Sequence, residues 1–352
     1  MRKLAPLLLP ILCTMLCAIA IGSEDLQSKI PPIPAAVTDN AVTTLHNGLD
    51  VYSIMGIGPK RTWDDVTKQV YILHIPSGKW SAGRPVPGVA GRLGASAISA
   101  KEKIYVFGGF TIDGQGNQFV VSDVNTFLPH EQRWYRAADI PIPVDSAVIG
   151  LNHDRFIYLI GGRSKNGPVN NVQVYDIQTN KWSDATPFPG TPVYGHAGGL
   201  GDDTIVFVDG ARKNTNGSGP AYVPSDECWM GKIDKKDPNK ISWSKLPPHP
   251  GKARFGIVAG AREKDRKILF SGGSPVVHNY KGLDAQGKPV DFSPVTFSFD
   301  VRENKWETLN DEMDDAHSDS RGIVSTPIGP LIVGGLGRDN SVSSRVLIVP
   351  KY

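Results

Sequence analysis

A short apolar strand that runs into two glycines recurs along this chain and constrains its fold more than any other feature. It stands at residues 103–110 (KIYVFGGF), 156–162 (FIYLIGG), 268–273 (ILFSGG) and 330–335 (PLIVGG). Two degenerate copies occupy residues 51–56 (VYSIMG) and 205–210 (IVFVDG). Six copies at a period of roughly 50 residues, each a strand ending in glycine, are the signature of a β-propeller, in which each repeat is one blade.

The intervening sequence supports four strands per repeat. The first reads as residues 41–45, 49–55, 70–74 and a strand opening near Trp80, each short, rich in β-branched or aromatic residues and bounded by Gly, Pro, Asn or Asp. No segment sustains a 3.6-residue apolar period, so almost no helix is expected. Trp80, Trp134, Trp182, Trp243 and Trp306 each follow a glycine motif, and Leu73, Phe127, Tyr175 and Phe299 stand seven residues before four of them. In the fourth repeat Ile233 precedes Trp243 across a longer charged turn. These tryptophans are read as blade-to-blade packing. After Gly335 only one further strand (residues 344–349) remains, so the sixth blade lacks its outer strand. Residues 30–37, which carry Pro31, Pro32 and Pro34, are the candidate to close the ring from the N-terminus.

The first 22 residues read as a secretory signal peptide. Arg2 and Lys3 precede an apolar run over residues 4–21 that ends in the small-x-small site Ala18-Ile19-Ala20. Export is therefore expected. Cys13 and Cys17 fall in that run, so Cys228 alone remains afterwards and no intramolecular disulfide can form. A net charge of +3 without a Lys/Arg block argues against a nucleic-acid partner. No later apolar run reaches the length of a membrane helix.

Strand parity locates a candidate site. In a four-stranded antiparallel blade the chain enters strand one and leaves strand two at the same face. The residues opening the first strands and the loops after the glycines therefore meet at one mouth of the central channel. That mouth collects Arg92, Asp145, Tyr194, His196, Arg254 and Arg321 from the strand entries. The loops bring Arg163, Lys165, Arg212, Lys213, His278, Tyr280 and Arg338. Cations dominate these residues, and several arginines in one concavity would focus an anionic ligand. For Arg92, Arg254 and Arg321 the competing reading is that they bridge blades through backbone carbonyls. Asp209 replaces the first glycine of its motif and is the first candidate acid/base, with Asp145 second; a self-bonded turn is the alternative for Asp209. Asp314, Asp315, His317 and Asp319 read as a solvated turn, and Cys228 as a buried small residue.

The glycine-ended strands and spaced tryptophans resemble the bacterial kelch-repeat family across the whole chain after the signal. A six-bladed kelch-type β-propeller, all-β and a single domain over residues 23–352, is the expected fold. Within that family the chain resembles the N-acetylneuraminate epimerase (sialic acid mutarotase) group at residues 106–134, in the long loop between Gly273 and Trp306 with His278-Asn279-Tyr280, and at its C-terminal end. The resemblance implies a cofactor-independent isomerase that exchanges the anomers of an acidic sugar. Arg92, Arg212, Arg254, Arg321, His278 and Tyr280 would bind the sugar, and neither a metal nor an organic cofactor is expected. The chain departs from the group at Ala211, where the group carries a catalytic glutamate. It also lacks the group's long insertion in the third blade. The alternative function is a non-catalytic kelch module whose loop face binds a protein or glycan.

Overall fold

Each repeat folds into an antiparallel sheet, and six such sheets stand around a central channel. The computed structural model describes residues 30–349 apart from 89, 263–265, 310–312 and 314. The expected signal peptide, its two cysteines and Asp314 lie outside the described residues. Blade one is Ala41–Leu45, Asp50–Ile57, Val66–His74 and Lys79–Ala82. The first, channel-lining strands of the next five blades are Ser96–Ala100, Val148–Asn152, Ala197–Gly201, Val258–Arg262 and Ile323–Thr326. The second strands run into the glycines and are the most deeply buried elements; Ile104, Ile157, Ile205, Ile268 and Leu331 each have 0 % exposure. Helix among the described residues amounts to 3-10 turns at Trp63–Asp65, Ile75–Ser77 and Pro129–Glu131. The six-bladed, all-β expectation is met.

The tryptophans seal the blades to one another. Trp80, Trp134, Trp182 and Trp306 oppose Leu73, Phe127, Tyr175 and Phe299 in the outer strand pair, as their spacing requires. Trp243 instead opposes Gly231, because the longer turn pairs Ile233 with Ile241; a side chain at 231 would meet the indole at 2.7 Å. Every one of the five indole N–H groups donates to a carbonyl of the preceding blade. Trp134 reaches Arg84, Trp182 Ala138, Trp243 Thr186 and Trp306 Pro247, at 2.9–3.0 Å.

Trp80 donates to Pro31 O at 2.9 Å, which puts residues 30–37 in the position of the connector that follows an outer strand. The N-terminal segment thus closes the propeller, as expected, but in a different form. Ile33 N and Val37 N bond Ser344 O and Ser343 O, and no regular ladder forms. Pro31, Pro32 and Pro34 supply no backbone donors. The sixth sheet therefore has three strands among the described residues.

A ring of backbone hydrogen bonds crosses all six blades where the first strands begin. Asp39 N donates to Asp319 O, Gly94 N to Asp39 O, Ser146 N to Gly94 O, Gly195 N to Ser146 O, Gly256 N to Gly195 O, and Asp319 N to Gly256 O, at 2.8–3.3 Å. The circuit is closed, with one residue from each blade. All six lie in the left-handed region, at φ between 52° and 70°. Three blades use glycine there, the residue that tolerates this conformation without a Cβ penalty. Gly256→Ala tests the ring. The new Cβ would stand 2.4 Å from Ser318 Oγ and 2.7 Å from Asp319 Oδ1. With the left-handed cost itself about 1–2 kcal/mol, a total loss of ~2 kcal/mol or more is expected in urea unfolding. A variant as stable as wild type would show that the ring tolerates a side chain there.

Candidate functional site

The ring divides the axis of the propeller into two cavities. On one side lies the channel between the first strands, about 890 Å³. On the other lies a smaller cavity of about 240 Å³, walled by the strand entries and the loops that follow the glycines. Parity correctly places these two sets of residues together. Thr38, Leu93, Asp145, Tyr194 and Phe255 bridge Ile57, Phe110, Arg163, Ala211 and Ser274, one pair per blade.

Asp39, Ser146 and Asp319, the three ring residues that are not glycine, all line the smaller cavity. Holding a non-glycine residue at positive φ costs of order 1 kcal/mol each, and such positions cluster at functional sites. Arg321 sits two residues beyond the ring in blade six and lines both cavities. Its Nε and Nη2 donate to Asp39 Oδ1 at 3.0 and 2.7 Å, and Nη2 also reaches Ser146 Oγ at 2.9 Å. One guanidinium thus ties blades six, one and three and closes the floor of the mouth. A second pair joins the walls, where Arg163 Nε meets Asp145 Oδ2 at 2.9 Å. Arg163 lies over the rings of Phe110 and Tyr194 at 4.9 and 5.5 Å, and its side chain keeps 23 % exposure.

The roof is the long loop after Gly273, which contributes His278, Asn279, Tyr280, Leu283, Asp284 and Ala285. It reaches from blade five across to blades one, two and six. Arg61 donates to Lys281 O and Asn340 O, Asn340 Nδ2 to Lys281 O and Gly282 O, and Tyr280 packs on Phe110 at 6.4 Å. His278 Nδ1 lies 3.1 Å from Asn279 O and 3.6 Å from Asp319 Oδ2. Opposite the roof, the hairpin of Ala211–Lys213 and Tyr222–Pro224 brings in Pro220, Ala221 and Tyr222.

Burial sets the protonation of this cluster. It pushes the Asp39 carboxyl up to about 6, although Arg321 pulls the other way. It raises Asp145 as well, against the opposing pull of Arg163. Burial lowers Arg321, but Asp39 and Asp319 outweigh it and the guanidinium ends above its ordinary value. A carboxyl at 3.8 unfolded and about 6 folded contributes stability in full below pH 4 and loses it as pH rises through 6. Between pH 4 and 7 wild type should therefore lose about 2 kcal/mol relative to Asp39→Asn. Urea midpoints of the two proteins across that range measure it; parallel profiles would contradict the assignment.

Of the residues expected at the mouth, Asp145, Arg163, Tyr194, His278, Tyr280 and Arg321 meet in the cavity. The others are held elsewhere. Arg92, buried, donates to Gly108 O, Asp123 O and Asn125 Oδ1. Arg254, also buried, donates to Gly272 O at 2.7 Å and to Val295 O at 3.4 Å. Both bond backbone carbonyls, as the alternative held, but within their own blades instead of between blades, each fastening the first glycine of its blade. Arg212 lies in the blade-four hairpin and is not among the lining residues. Asp209 takes a glycine's place at φ 62° and is 1 % exposed. Its Oδ2 accepts from His249 Nε2 and Arg254 N, both at 2.8 Å. Cys228 is buried with its thiol pushed up to about 12 by burial, as suits a core residue.

Two expectations are corrected. Asp319 is no solvated turn but a buried ring residue at the cavity. The mouth is not cationic, because Asp39, Asp145, Asp284 and Asp319 outnumber Arg163 and Arg321 among the lining residues. Sequence reasoning missed Asp39, hidden ahead of the first strand, although its spacing before that strand matches Gly94, Ser146 and Gly195. No group of three or more His, Cys, Asp or Glu side chains among the described residues could hold a metal ion.

Comparison with known proteins agrees with this architecture. The chain is similar to Kelch-like protein 15 of Gallus gallus (26 % identical over 163 residues, 46 % of this chain and 32 % of the relative). It is similar to Kelch-like protein 34 of Homo sapiens (26 % over 203 residues, 54 % and 29 %) and Kelch-like protein 40 of Xenopus laevis (29 % over 164 residues, 46 % and 24 %). The chain thus spans about a third or less of the length of these curated relatives. A solved structure titled "Structure of YjhT" superposes with a TM-score of 0.73 at 19 % identity, covering 92 % of this chain and 97 % of the other, which is a likeness of fold. The model of the KLHDC2/KLHL20/DRC7 Kelch-repeats domain matches residues 43–273, about two thirds of the chain, and the protein therefore belongs to the Kelch-repeat family.

Proposed function

We propose that the mouth cavity is a carbohydrate site in which carboxyl groups exchange protons with a sugar, making this protein a cofactor-independent isomerase of the anomer-exchanging kind. The observation that carries the reading is the set of carboxyls at the ring. Asp39 and Asp319 are kept at strained φ where glycine would serve, and burial pushes the Asp39 carboxyl up to about 6. A general acid or base works best with its pKa near the working pH. Anomer exchange needs one group to take the proton from the anomeric hydroxyl and another to protonate the ring oxygen as the C–O bond opens. Reclosure on the other face reverses both transfers. Asp39 and Asp145 take these roles in place of Asp209. Tyr194, Tyr222, Phe255 and Tyr280 supply apolar walls for the ring face.

The resemblance to the epimerase group implies an acidic sugar such as N-acetylneuraminate, but both lining arginines are already paired with aspartates, so the geometry does not favour that class. Export, read from residues 1–22, belongs to the same proposal. Exchange NMR on a panel of neutral, acidic and amino sugars tests it. At least one sugar should exchange anomers faster with the protein than without it, and Asp39→Asn should return that rate to the spontaneous value. Spontaneous rates for the whole panel would refute the isomerase.

A second reading, a docking face without catalysis, is favoured by Trp63, Phe119 and Val276. These stand 56 %, 51 % and 44 % exposed on the segments between the second and third strands of blades one, two and five. In that case a glycan or protein binds the loops and no sugar's exchange is accelerated.

A further inference from the structure

The charge and hydrogen-bonding character of the cavity narrow the ligand, given the carbohydrate reading above. Four aspartates and two arginines line it, so its formal charge is −2 with His278 neutral, against +3 for the whole chain. Arg163 and Arg321 are each already engaged by a carboxylate, Asp145 and Asp39. Asp319 and Asp284 have no arginine in the cavity paired with them. An anionic ligand would enter against this field, whereas a cation would be concentrated by it.

The unpartnered atoms at the wall agree. Asp145 is 1 % exposed, and its Oδ1 has no hydrogen-bond partner among the described residues. His278 is 6 % exposed and its Nε2 is likewise unpartnered. His278 Nδ1 faces the carbonyl of Asn279 and so carries a hydrogen. The ionised Asp145 carboxylate can only accept, so a ligand that meets its Oδ1 must donate. A buried acceptor left unsatisfied is costly, so a ligand supplying its donor gains selectively. An ammonium group brings three donors, a positive charge and no acceptor. The faces of Tyr194 and Phe110 already hold the Arg163 guanidinium, so the aromatic wall accommodates a cation.

We infer that the preferred ligand is an amino sugar, its protonated amine held at the Asp145 side of the cavity and its ring against the aromatic walls. Titration calorimetry with glucosamine, N-acetylglucosamine and glucuronic acid at pH 7 tests this. Glucosamine should bind at least tenfold more tightly than either of the others, and that preference should shrink with added salt. Asp145→Asn should abolish the preference. Should that variant fail to fold, Arg163→Gln gives the opposite check, since removing a cation should widen the preference. Equal or tighter binding of the neutral or acidic sugar overturns this inference and leaves the carbohydrate site standing. Binding of none of the three overturns both.

Discussion

Arg321→Met is expected to abolish anomer exchange and to destabilise the propeller more than any other change at the mouth. The methionine keeps the length of the side chain but takes away the three hydrogen bonds to Asp39 Oδ1 and Ser146 Oγ. Asp39 is 3 % exposed and would be left without its cation, and breaking a buried ion pair by removing one partner costs about 3–5 kcal/mol. The carboxyl escapes part of that cost by staying protonated, because Arg321 is what pulls its pKa down from where burial would leave it. The pH at which stability declines should therefore move upward from about 6. A carboxyl fixed in one protonation state no longer cycles as an acid and base, so a rate loss of about a hundredfold or more is expected. Exchange NMR and urea unfolding at several pH values read both effects. A variant with wild-type exchange would remove Arg321 and Asp39 from the chemistry.

The second large effect lies away from the cavity. Asp209→Gly restores the residue found at Gly108, Gly161, Gly272 and Gly334, yet it should destabilise the protein. The carboxylate is the acceptor for His249 Nε2 and Arg254 N, all three groups buried. His249 Nδ1 faces Pro250 O at 2.8 Å, so its ring must carry a hydrogen on that side, and a second proton is shared with Asp209. Loss of the partner costs about 3–5 kcal/mol, offset by about 1 kcal/mol of relieved left-handed strain. Several degrees of melting temperature should go with it. His249 occupies the connector position held by Val86, Ile140 and Phe188 in other blades. The double variant Asp209→Gly/His249→Val rebuilds that apolar pattern and should recover at least half of the loss, since a packed hydrophobic pair often matches a buried ionic one. A double variant no better than the single one would contradict the pairing.

These two sites show what was legible in the sequence. The blades were, because a strand ending in glycine repeats six times and four of the five tryptophans announce their cross-strand partners by spacing. The gathering of Asp145, Arg321, His278 and Tyr280 was also legible, because strand parity needs only the order of elements. The ring was not. Its members are Asp, Gly, Ser, Gly, Gly and Asp, common turn residues whose bonds join positions about 50 residues apart. Asp39 hid for that reason, in the short gap between residues 30–37 and the first strand. Asp319 passed as a solvated turn because its burial depends on neighbouring blades. Arg92 and Arg254 sit two residues before the ring, where the side chain turns into its own blade and meets carbonyls instead of the mouth. The direction of a side chain at a strand entry is set by that left-handed residue, which no local pattern reveals. Asp209 and His249 explain each other only across a separation of 40 residues.

The central claim is that the cavity above the ring, between the roof loop and the blade-four hairpin, holds the sugar. A crystal structure of the protein soaked with glucosamine tests it most directly. The account predicts a sugar ring beneath residues 278–285, within hydrogen-bond distance of Asp39, Asp145 or Asp319 and against Tyr194 or Phe255. Sugar found in the channel beyond Arg321, or only on the outer faces of the blades with the mouth unoccupied, would contradict it.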